Sequence, residues 1–449
     1  MIKRYLSLLA LAGLFPMTVS AATLQEIYEL AVQNDPELAA AQASFKAQSE
    51  LITQSKAAFL PSVSMSGNSS NSKSRVLVPQ VRPWNQFNSH NWNLSLQQPL
   101  FRMESWFLFR QAKNVEAQAM AQLAADQQAL ILRVAESYLA ILEAQAALIS
   151  ANAERNAVKR QLEQVQQRFD VGLVAITDVL ESRAAFDTST VTVIESEAAQ
   201  NISFEALLRL TGQPITTISS LIDEIPIENP EPDNVEDWIQ KAVSQNYALI
   251  VAREGLRIAE KDVKIARAGH YPSINSSISW GHNATGGGNS FFGSKSDSYS
   301  MSVNINIPLY SGGAVNSRAR RSGFLLEQAQ QNFDLQQRTI VENTRTLFTA
   351  IITDVARVRA RLRGMESSQS ALNATQTGYE VGTRNIVDVL LAQRQLYLSQ
   401  FQYASAKYQY IRNNLRLKQV VGSLSPDDIH AINGFIDVST VERVIPTTR

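Results

Sequence analysis

Two glycines, Gly172 and Gly382, are each surrounded by side chains suited to hydrogen bonding and ion pairing. The polar residues near them are Thr177, Asp178, Tyr379, Arg384 and Asp388. Aspartate accepts hydrogen bonds from hydroxyl and guanidinium groups, and charge-assisted bonds of this kind are about twice as strong as neutral ones. Asp178 also suits the simpler role of a helix N-cap after a turn. On the residues alone, the cap role is the favoured interpretation of Asp178.

Motifs for enzyme chemistry are absent from the sequence. There is no cysteine, which excludes disulfides, thiolate metal sites and thiol catalysis. The four histidines lack the spacing that places metal ligands on one helix face. Neither a Walker A motif nor a nucleophile elbow occurs, and the glycine run 286–288 lies in a predicted loop rather than between a strand and a helix. We therefore expect no catalytic residues, no metal and no cofactor.

The charge balance argues against one further class of partner. Lys and Arg number 41 and Asp and Glu number 41, so the formal net charge is zero. Nucleic-acid binding depends on a basic excess that releases counterions from phosphates. We therefore expect no nucleic-acid partner.

The segments that carry the two glycines favour long helices. No proline occurs between Pro99 and Pro214, or between Pro308 and Pro426. Both segments are rich in Ala, Gln, Leu, Glu and Arg, which are good helix formers, and apolar residues recur at three- and four-residue spacing. A helix over residues 101–169 would be roughly 100 Å long. The sequence therefore predicts a coiled coil or a helical tube whose long helices end at Gly172 and Gly382.

Four short segments alternate between polar and apolar residues, as a strand with one polar face does. They contain residues 63–65, 92–96, 274–280 and 299–307. At about ten residues each they are long enough to cross a bilayer, and polar loops are expected over 67–87 and 281–298. Aromatic residues near the strand ends suit interfacial girdles. These aromatics are Trp84, Phe87, Trp92, Tyr271, Trp280, Phe291, Phe292 and Tyr299. Taken one at a time, the strands equally suit a soluble sheet.

The chain is an internal repeat with an offset of 209 to 211 residues. The matching segments are Ala31-Val32 with Ala242-Val243, Pro61-Ser62 with Pro272-Ser273, Pro99-Leu100-Phe101 with Pro308-Leu309-Tyr310, Phe169-Asp170-Val171-Gly172 with Tyr379-Glu380-Val381-Gly382, and Ile176-Thr177-Asp178-Val179-Leu180 with Ile386-Val387-Asp388-Val389-Leu390. Each half is therefore predicted to run helix, strand, strand, long helix, turn, helix.

The start of the chain and the repeat set the predicted domain boundaries. Lys3 and Arg4, an apolar stretch and small residues predict a signal peptide cleaved after Ala21 or Ala22. The boundaries are 1–22 for the signal peptide, 23–213 for the first repeat, 214–235 for a proline-containing linker, 236–422 for the second repeat and 423–449 for a C-terminal segment. No later window has eighteen consecutive apolar residues, so no membrane-spanning helix is expected.

Both the four strands and the long helices, which have apolar residues on two sides, need neighbouring chains to cover their exposed edges and faces. The smallest single-chain membrane barrels have about eight strands, because an open sheet edge cannot face lipid. Long helices with apolar stripes must likewise bury both sides against other helices. A ring of subunits meets both requirements and leaves a tube with a hollow axis.

The sequence resembles the TolC family of outer-membrane efflux proteins over essentially the whole mature length. The resemblance rests on the repeat and on two motifs, residues 168–179 (RFDVGLVAITDV) and 378–390 (GYEVGTRNIVDVL). It implies an α+β membrane protein: a homotrimer whose 12-stranded outer-membrane barrel, with four strands from each chain, continues as a periplasmic α-helical barrel. It also implies a mixed equatorial belt formed by the linker and the C-terminal segment.

Partners and cellular place follow from the same resemblance. Family members dock on a periplasmic adaptor protein and an inner-membrane transporter, and they pass drugs or secreted proteins outward. The implied location is the outer membrane of a Gram-negative bacterium, in contact with outer-membrane lipid. Because the chain has no cysteine, it belongs with the relatives that lack a lipidated N-terminus.

The resemblance also assigns roles to residues at the turns. It implies that residues matching Asp178, Tyr379 and Arg384 link the helical hairpins within and between subunits and close the entrance, helped by Thr177. Asp388 matches one of two aspartates that ring the constriction, and the second position is Leu391 here. The hairpin tips that would meet an adaptor are Gly172, Leu173, Gly382 and Thr383.

Two other functions explain part of the sequence. A soluble periplasmic coiled-coil scaffold or adaptor explains the helices and the signal peptide but leaves the alternating strands unexplained. An envelope hydrolase lacks a catalytic constellation. The transport conduit accounts for all of these features together.

Overall fold

A computed structural model describes residues 22–75, 77, 84–222, 225–287 and 293–443, with side chains described up to residue 437. Its helices are α1 (Leu24–Asn34), α2 (Pro36–Ala57), α3 (Met103–Asp170), α4 (Ile176–Thr211), α5 (Val235–Gln245), α6 (Tyr247–Ala268), α7 (Ala314–Glu380), α8 (Ile386–Val421) and α9 (Pro426–Asn433). Its strands are β1 (Ser62–Ser74), β2 (Asn85–Arg102), β3 (Thr217–Leu221), β4 (Ser273–Gly287), β5 (Ser294–Asn306) and β6 (Ile436–Arg443). The signal-peptide residues 1–21 lie outside this description.

Two very long helices dominate the fold, as the proline-free segments predict. Helix α3 has 68 residues and α7 has 67, and each is followed after a short turn by a helix of 36 residues. Gly172 and Gly382 sit at the two turns with φ of 78°, a left-handed conformation that glycine adopts without strain. Each repeat thus ends in a helical hairpin, α3–α4 in the first and α7–α8 in the second.

One window of α3 has a mean hydropathy of 1.2, enough by length and composition alone to cross a membrane. However, 44% of this window is buried inside the structure. A buried core helix of a soluble protein meets the same criteria of length and hydropathy. Val134, Ala135, Tyr138 and Leu139 of α3 are fully buried in the largest apolar cluster. The apolar character of this part of α3 therefore follows from its burial in that core.

The four predicted strands form one antiparallel sheet in the order β1-β2-β4-β5. The strands have 13, 18, 15 and 13 residues, so they run beyond the predicted segments and the connecting loops are shorter than predicted. Pro99 lies inside β2, at a register shift between Pro99 and Phe101. A bulge is a position where a strand tolerates proline, which lacks the N–H that the ladder requires.

The register places apolar and polar side chains on opposite faces of this sheet. Apolar rows of cross-strand partners are Val63, Leu96, Ile278 and Met301, followed by Met65, Leu94, Trp280 and Tyr299. The alternate rows are polar and include Ser64, Ser95, Ser279 and Ser300. We call these two sides the apolar face and the polar face. Of the predicted girdle aromatics, Phe291 and Phe292 fall in the undescribed part of the chain.

A second sheet, which the sequence patterns did not reveal, joins the linker to the C-terminal segment. Strand β3 pairs with β6 in antiparallel fashion, and Ala22 bridges to Ile218 beside them. The Tyr138 hydroxyl donates a hydrogen bond to the Ser219 carbonyl underneath this sheet. Leu24 and Ile27 of α1, Ile411 and Leu415 of α8, and Ile436 complete the surrounding core. Both repeats are thereby tied together midway along the long helices.

Candidate gate at the hairpin turns

The two hairpin turns have nearly the same backbone structure. The Leu173 amide donates to the Arg168 carbonyl at 2.8 Å, and at the equivalent position the Thr383 amide donates to the Gly378 carbonyl at 2.8 Å. The Thr383 hydroxyl adds a second bond to the Gly378 carbonyl at 3.0 Å. The tip side chains point outward, and Leu173 is 68% exposed. The predicted docking residues Gly172, Leu173, Gly382 and Thr383 therefore occupy accessible tips.

A small apolar cluster joins the two hairpins just behind their tips. Its buried members are Val165 of α3, Val179 of α4, and Ile386 and Val389 of α8. Ile386 is 1% exposed and Val389 is fully buried. Phe169, Val174, Tyr379 and Leu390 pack against them. Because its members come from both hairpins, this tip cluster holds the two hairpins together within one chain.

Asp178 lies in the first turn of α4 and is not its N-cap. The N-cap is Ala175, whose carbonyl accepts from the Asp178 amide at 3.1 Å. The interpretation of Asp178 as a cap is therefore wrong. Its carboxylate accepts a hydrogen bond from the Thr177 hydroxyl at 3.4 Å, and the role of Thr177 in closing the entrance stays a prediction. Helix α8 differs, because the Asn385 side chain caps it by accepting from the Asp388 amide at 2.8 Å.

Tyr379 connects the hairpins through an arginine that sequence reasoning did not single out. The Arg168 guanidinium lies 5.1 Å from the centroid of the Tyr379 ring, a cation–π distance. The Tyr379 hydroxyl is buried and makes no hydrogen bond of standard geometry within the described residues. Burial raises the pKa of the Tyr379 phenol, the Arg168 guanidinium lowers it in part, and the Asp178 carboxylate raises it further. The negative charge of Asp178 therefore disfavours ionisation of the Tyr379 phenol.

Arg384 pairs with Asp388 within the chain. Its Nη1 atom is 3.7 Å from Asp388 Oδ2, and the two side chains are 62% and 35% exposed. Among the described residues no ion pair joins Arg384 to Asp178. The link from Arg384 to Asp178 that the resemblance implies is not made inside one chain. A link to the next subunit stays a prediction.

The helices above the tips leave an open groove of about 660 Å³ between α3, α4 and α8. Glu154, Glu181, Leu391, Arg394 and Tyr397 are among the residues that line it. Burial raises the pKa of Glu154, while the Arg394 guanidinium opposes that rise. Leu391, at the position of the second constriction aspartate, is 59% exposed one turn beyond Asp388. The sequence alone did not reveal this charged groove.

The polar face of the sheet supplies the other part of a conduit. Hydroxyl groups bridge neighbouring strands, with Ser64 and Ser95 at 2.8 Å and Ser279 and Ser300 at 2.7 Å. Asn91 and Asn283 continue the same face. Such a surface is polar, like the interior of a water-filled barrel. In the described part of the chain, no group of three His, Asp or Glu residues could hold a metal ion.

Comparisons with known proteins agree with this arrangement. The chain matches the family described as "Outer membrane efflux protein" over residues 27–213 and 238–423, once in each repeat. It is 34% identical over 432 residues to the outer membrane protein TolC of Vibrio cholerae serotype O1, covering 96% of this chain and 97% of that protein. It is 27% identical over 418 residues to the alkaline protease secretion protein AprF of Pseudomonas aeruginosa, covering 92% of this chain and 87% of that protein.

A solved structure shows the same fold. The MtrE outer membrane channel of Neisseria gonorrhoeae, whose open state was solved, matches this chain with a TM-score of 0.72. The sequences are 17% identical, and the match covers 91% of each chain. The two chains therefore share a fold over most of their length.

Proposed function

Because the chain belongs to the outer membrane efflux protein family, we propose that three copies form an exit duct whose entrance is closed by the hairpin turns. Its place is the outer membrane, with the helical part in the periplasm, and it is not an enzyme. Substrates pass through it from the periplasm to the exterior in efflux or type I protein secretion. The relatives give no support to a soluble scaffold or adaptor.

The observation that carries this function is an open four-stranded sheet with one polar and one apolar face. Strands β1 and β5 are edges of this sheet, and a lipid-exposed edge would leave backbone groups without hydrogen bonds. Joining β5 of one chain to β1 of the next removes every edge. Three chains supply twelve strands, within the range of membrane barrels. The apolar face then meets lipid, and the polar face lines the lumen.

The entrance is closed, in this proposal, by contacts of two kinds at the hairpin tips. The tip cluster packs α8 against α3 and α4 within each chain. Asp178, Tyr379 and Arg384 add polar links, of which those to the next subunit complete the ring. Opening separates the hairpin at Gly382 from the hairpin at Gly172, and Asp388 then lines the wider throat. Exposed ion pairs contribute only up to ~1 kcal/mol each, so the tip cluster supplies the larger part of the closed bias. A docking partner opens the entrance by binding the open state more tightly than the closed one by a comparable free energy.

The partners in this proposal are a periplasmic adaptor protein and an inner-membrane transporter. The exposed tips at Gly172, Leu173, Gly382 and Thr383 are the surfaces offered to the adaptor. They lie at the end of the helices remote from the sheet, where an energy-supplying partner in the inner membrane can reach them. In-cell crosslinking from single cysteines at Leu173 and Thr383 tests this assignment, since the chain has no cysteine of its own.

Two measurements test the duct itself. After a high-salt wash, the protein is expected to stay with the outer-membrane fraction, and the purified protein is expected to conduct ions in a planar bilayer. Release into the soluble fraction, with no conductance from the purified protein, would support the scaffold instead. A cysteine pair that crosslinks the two hairpins is the matched control, because it should lower conductance and leave fractionation unchanged.

A further inference from the structure

A group of aromatic and basic side chains lies just below the sheet, where the strands meet the helices. The Phe59 ring packs edge-on against Trp106 at 6.5 Å and against Phe109 at 6.2 Å between centroids. The Arg110 guanidinium lies 5.4 Å from the Trp106 ring, and the Lys113 ammonium lies 4.8 Å from the Phe109 ring. Aromatic rings flanked by cations are typical of a membrane–water interface.

The chain next to the sheet is strongly basic, although the whole protein has no net charge. We define the basic collar as the Lys and Arg residues of segments 50–61, 102–114, 260–272 and 307–321. These segments contain ten Lys and Arg but only four Asp and Glu, a net charge of +6 against zero for the chain. In the described parts of the chain, no ion pair joins a collar residue to a carboxylate. The positive charge of the collar is therefore not neutralised internally.

Strand pairing brings the four segments to one level of the molecule. Arg102 at the end of β2 pairs with Ser273 at the start of β4, which pairs with Asn306 at the end of β5. His270 after α6 contacts Asn316 of α7 at 3.1 Å. The collar therefore follows the periplasmic end of the sheet instead of being scattered along the helices.

The start of α7 extends the collar below another apolar stretch. Leu309 and Tyr310 are 93% and 88% exposed. Arg318, Arg320 and Arg321 follow within three turns of helix and are all exposed. This repeats the order found on α3, with apolar and aromatic residues nearest the sheet and cations one step further from it. The same order in both halves fits a lipid bilayer, which has an apolar interior and anionic groups at its surface.

We propose that the basic collar binds the phosphate groups of anionic phospholipids in the membrane leaflet that faces the periplasm. The proposal rests on the proposed function, because it needs the strands to span the outer membrane. Aromatic rings seat at the level of the headgroups, and the collar cations lie where lipid phosphates begin. Basic residues near an anionic membrane surface each contribute about 1 kcal/mol, which corresponds to about five-fold in affinity. The collar fixes the height of the barrel in the bilayer and selects anionic lipids around it.

The test titrates the purified full-length protein with fluorescent phosphatidylglycerol and, separately, with fluorescent phosphatidylcholine bearing the same acyl chains. Arg110→Gln combined with Lys113→Gln removes two collar charges and should weaken phosphatidylglycerol binding about 30-fold. Binding of phosphatidylcholine should not change, because its headgroup has no net charge. Arg359→Gln combined with Arg363→Gln is the matched control, since both arginines are exposed on α7 far from the sheet. This control should bind both lipids as the parent does.

Assembly and conductance are measured on the same preparations. Equal phosphatidylglycerol binding by the parent, the collar variant and the control would overturn the proposal. It would also be overturned if the control lost as much binding as the collar variant. If conductance and trimer mass stay normal in that case, the lipid proposal fails while the duct stands. Should the Arg110 and Lys113 variant not assemble, Arg318→Gln combined with Arg321→Gln carries the same expectation, and unchanged lipid binding in it would be equally decisive.

Discussion

Replacing Ile386 with alanine should open the entrance more than removing any single polar contact at the turns. Ile386 is 1% exposed and packs in the tip cluster with Val165, Val179 and Val389. Since this cluster joins the two hairpins, separating them exposes its surface to water. A smaller side chain at this position therefore reduces the free-energy difference between the closed and open entrance.

The expected magnitude follows from the burial of the two kinds of contact. Truncating a buried isoleucine to alanine typically costs about 2–5 kcal/mol, including the cavity it leaves. Only the stabilisation that is lost from the closed state, and not from the open state, favours opening. Each 2 kcal/mol of it shifts the equilibrium between the closed and open entrance about 30-fold in each subunit. The exposed Arg384–Asp388 pair is worth at most ~1 kcal/mol by comparison. Apolar packing, more than the polar pair, should therefore set the closed bias within each chain.

The assay is single-channel conductance in a planar bilayer, with uptake of a bulky antibiotic into cells as a second measure. Ile351→Ala is the matched control, because Ile351 is fully buried but lies in a different core, with Phe348 and Leu417. Ile386→Ala should raise open probability and antibiotic entry, and Ile351→Ala should lower only thermal stability. If correctly assembled Ile386→Ala conducts like the parent, or if both variants open equally, the tip cluster does not close the entrance.

Three further substitutions probe the sheet, the polar links and the throat. Val303→Arg should cost roughly 2–4 kcal/mol on the lipid-facing side and reduce the amount of assembled protein, whereas Ser302→Arg should cost far less; equal losses would contradict the face assignment. Arg384→Ser combined with Tyr379→Phe should leave trimers intact and raise bilayer conductance, and a parental conductance would show that these polar links do not help to close the entrance. Asp388→Ala should weaken the preference for cations, measured as the reversal potential in a salt gradient, because a carboxylate ring favours cations; an unchanged potential would remove Asp388 from the throat.

The sequence predicted the large elements because their signals are local and repeated. Missing prolines indicate the long helices, and strict alternation identifies the four strands and their two faces. The predicted end of β1 came too early in the sequence. Residues 67–74 are polar on both faces of the sheet, so the alternation of polar and apolar residues stops there although the pairing with β2 continues. Strands β3 and β6 were missed because they pair with each other across more than two hundred residues of sequence. Neither strand can be recognised without the other.

The gate residues were harder to place than the elements that carry them. Asp178 resembles an N-cap in sequence, yet Ala175 takes that position because the turn ends three residues earlier. Arg168 begins the motif of residues 168–179, but its contact with the Tyr379 ring depends on how two helices from different repeats pack together. The pairing of Arg384 with Asp388 is an i,i+4 contact that spacing alone permits. Contacts across hairpins are set by packing, which a single sequence does not display.

The number of chains in the purified particle tests the central claim most directly. The mass of the protein in detergent, corrected for bound detergent, should equal three chains, because four strands per chain must close into a barrel without free edges. Circular dichroism on the same sample should show both β-structure and the long helices. A stable monomer that keeps its β-structure would contradict the shared barrel and, with it, the duct.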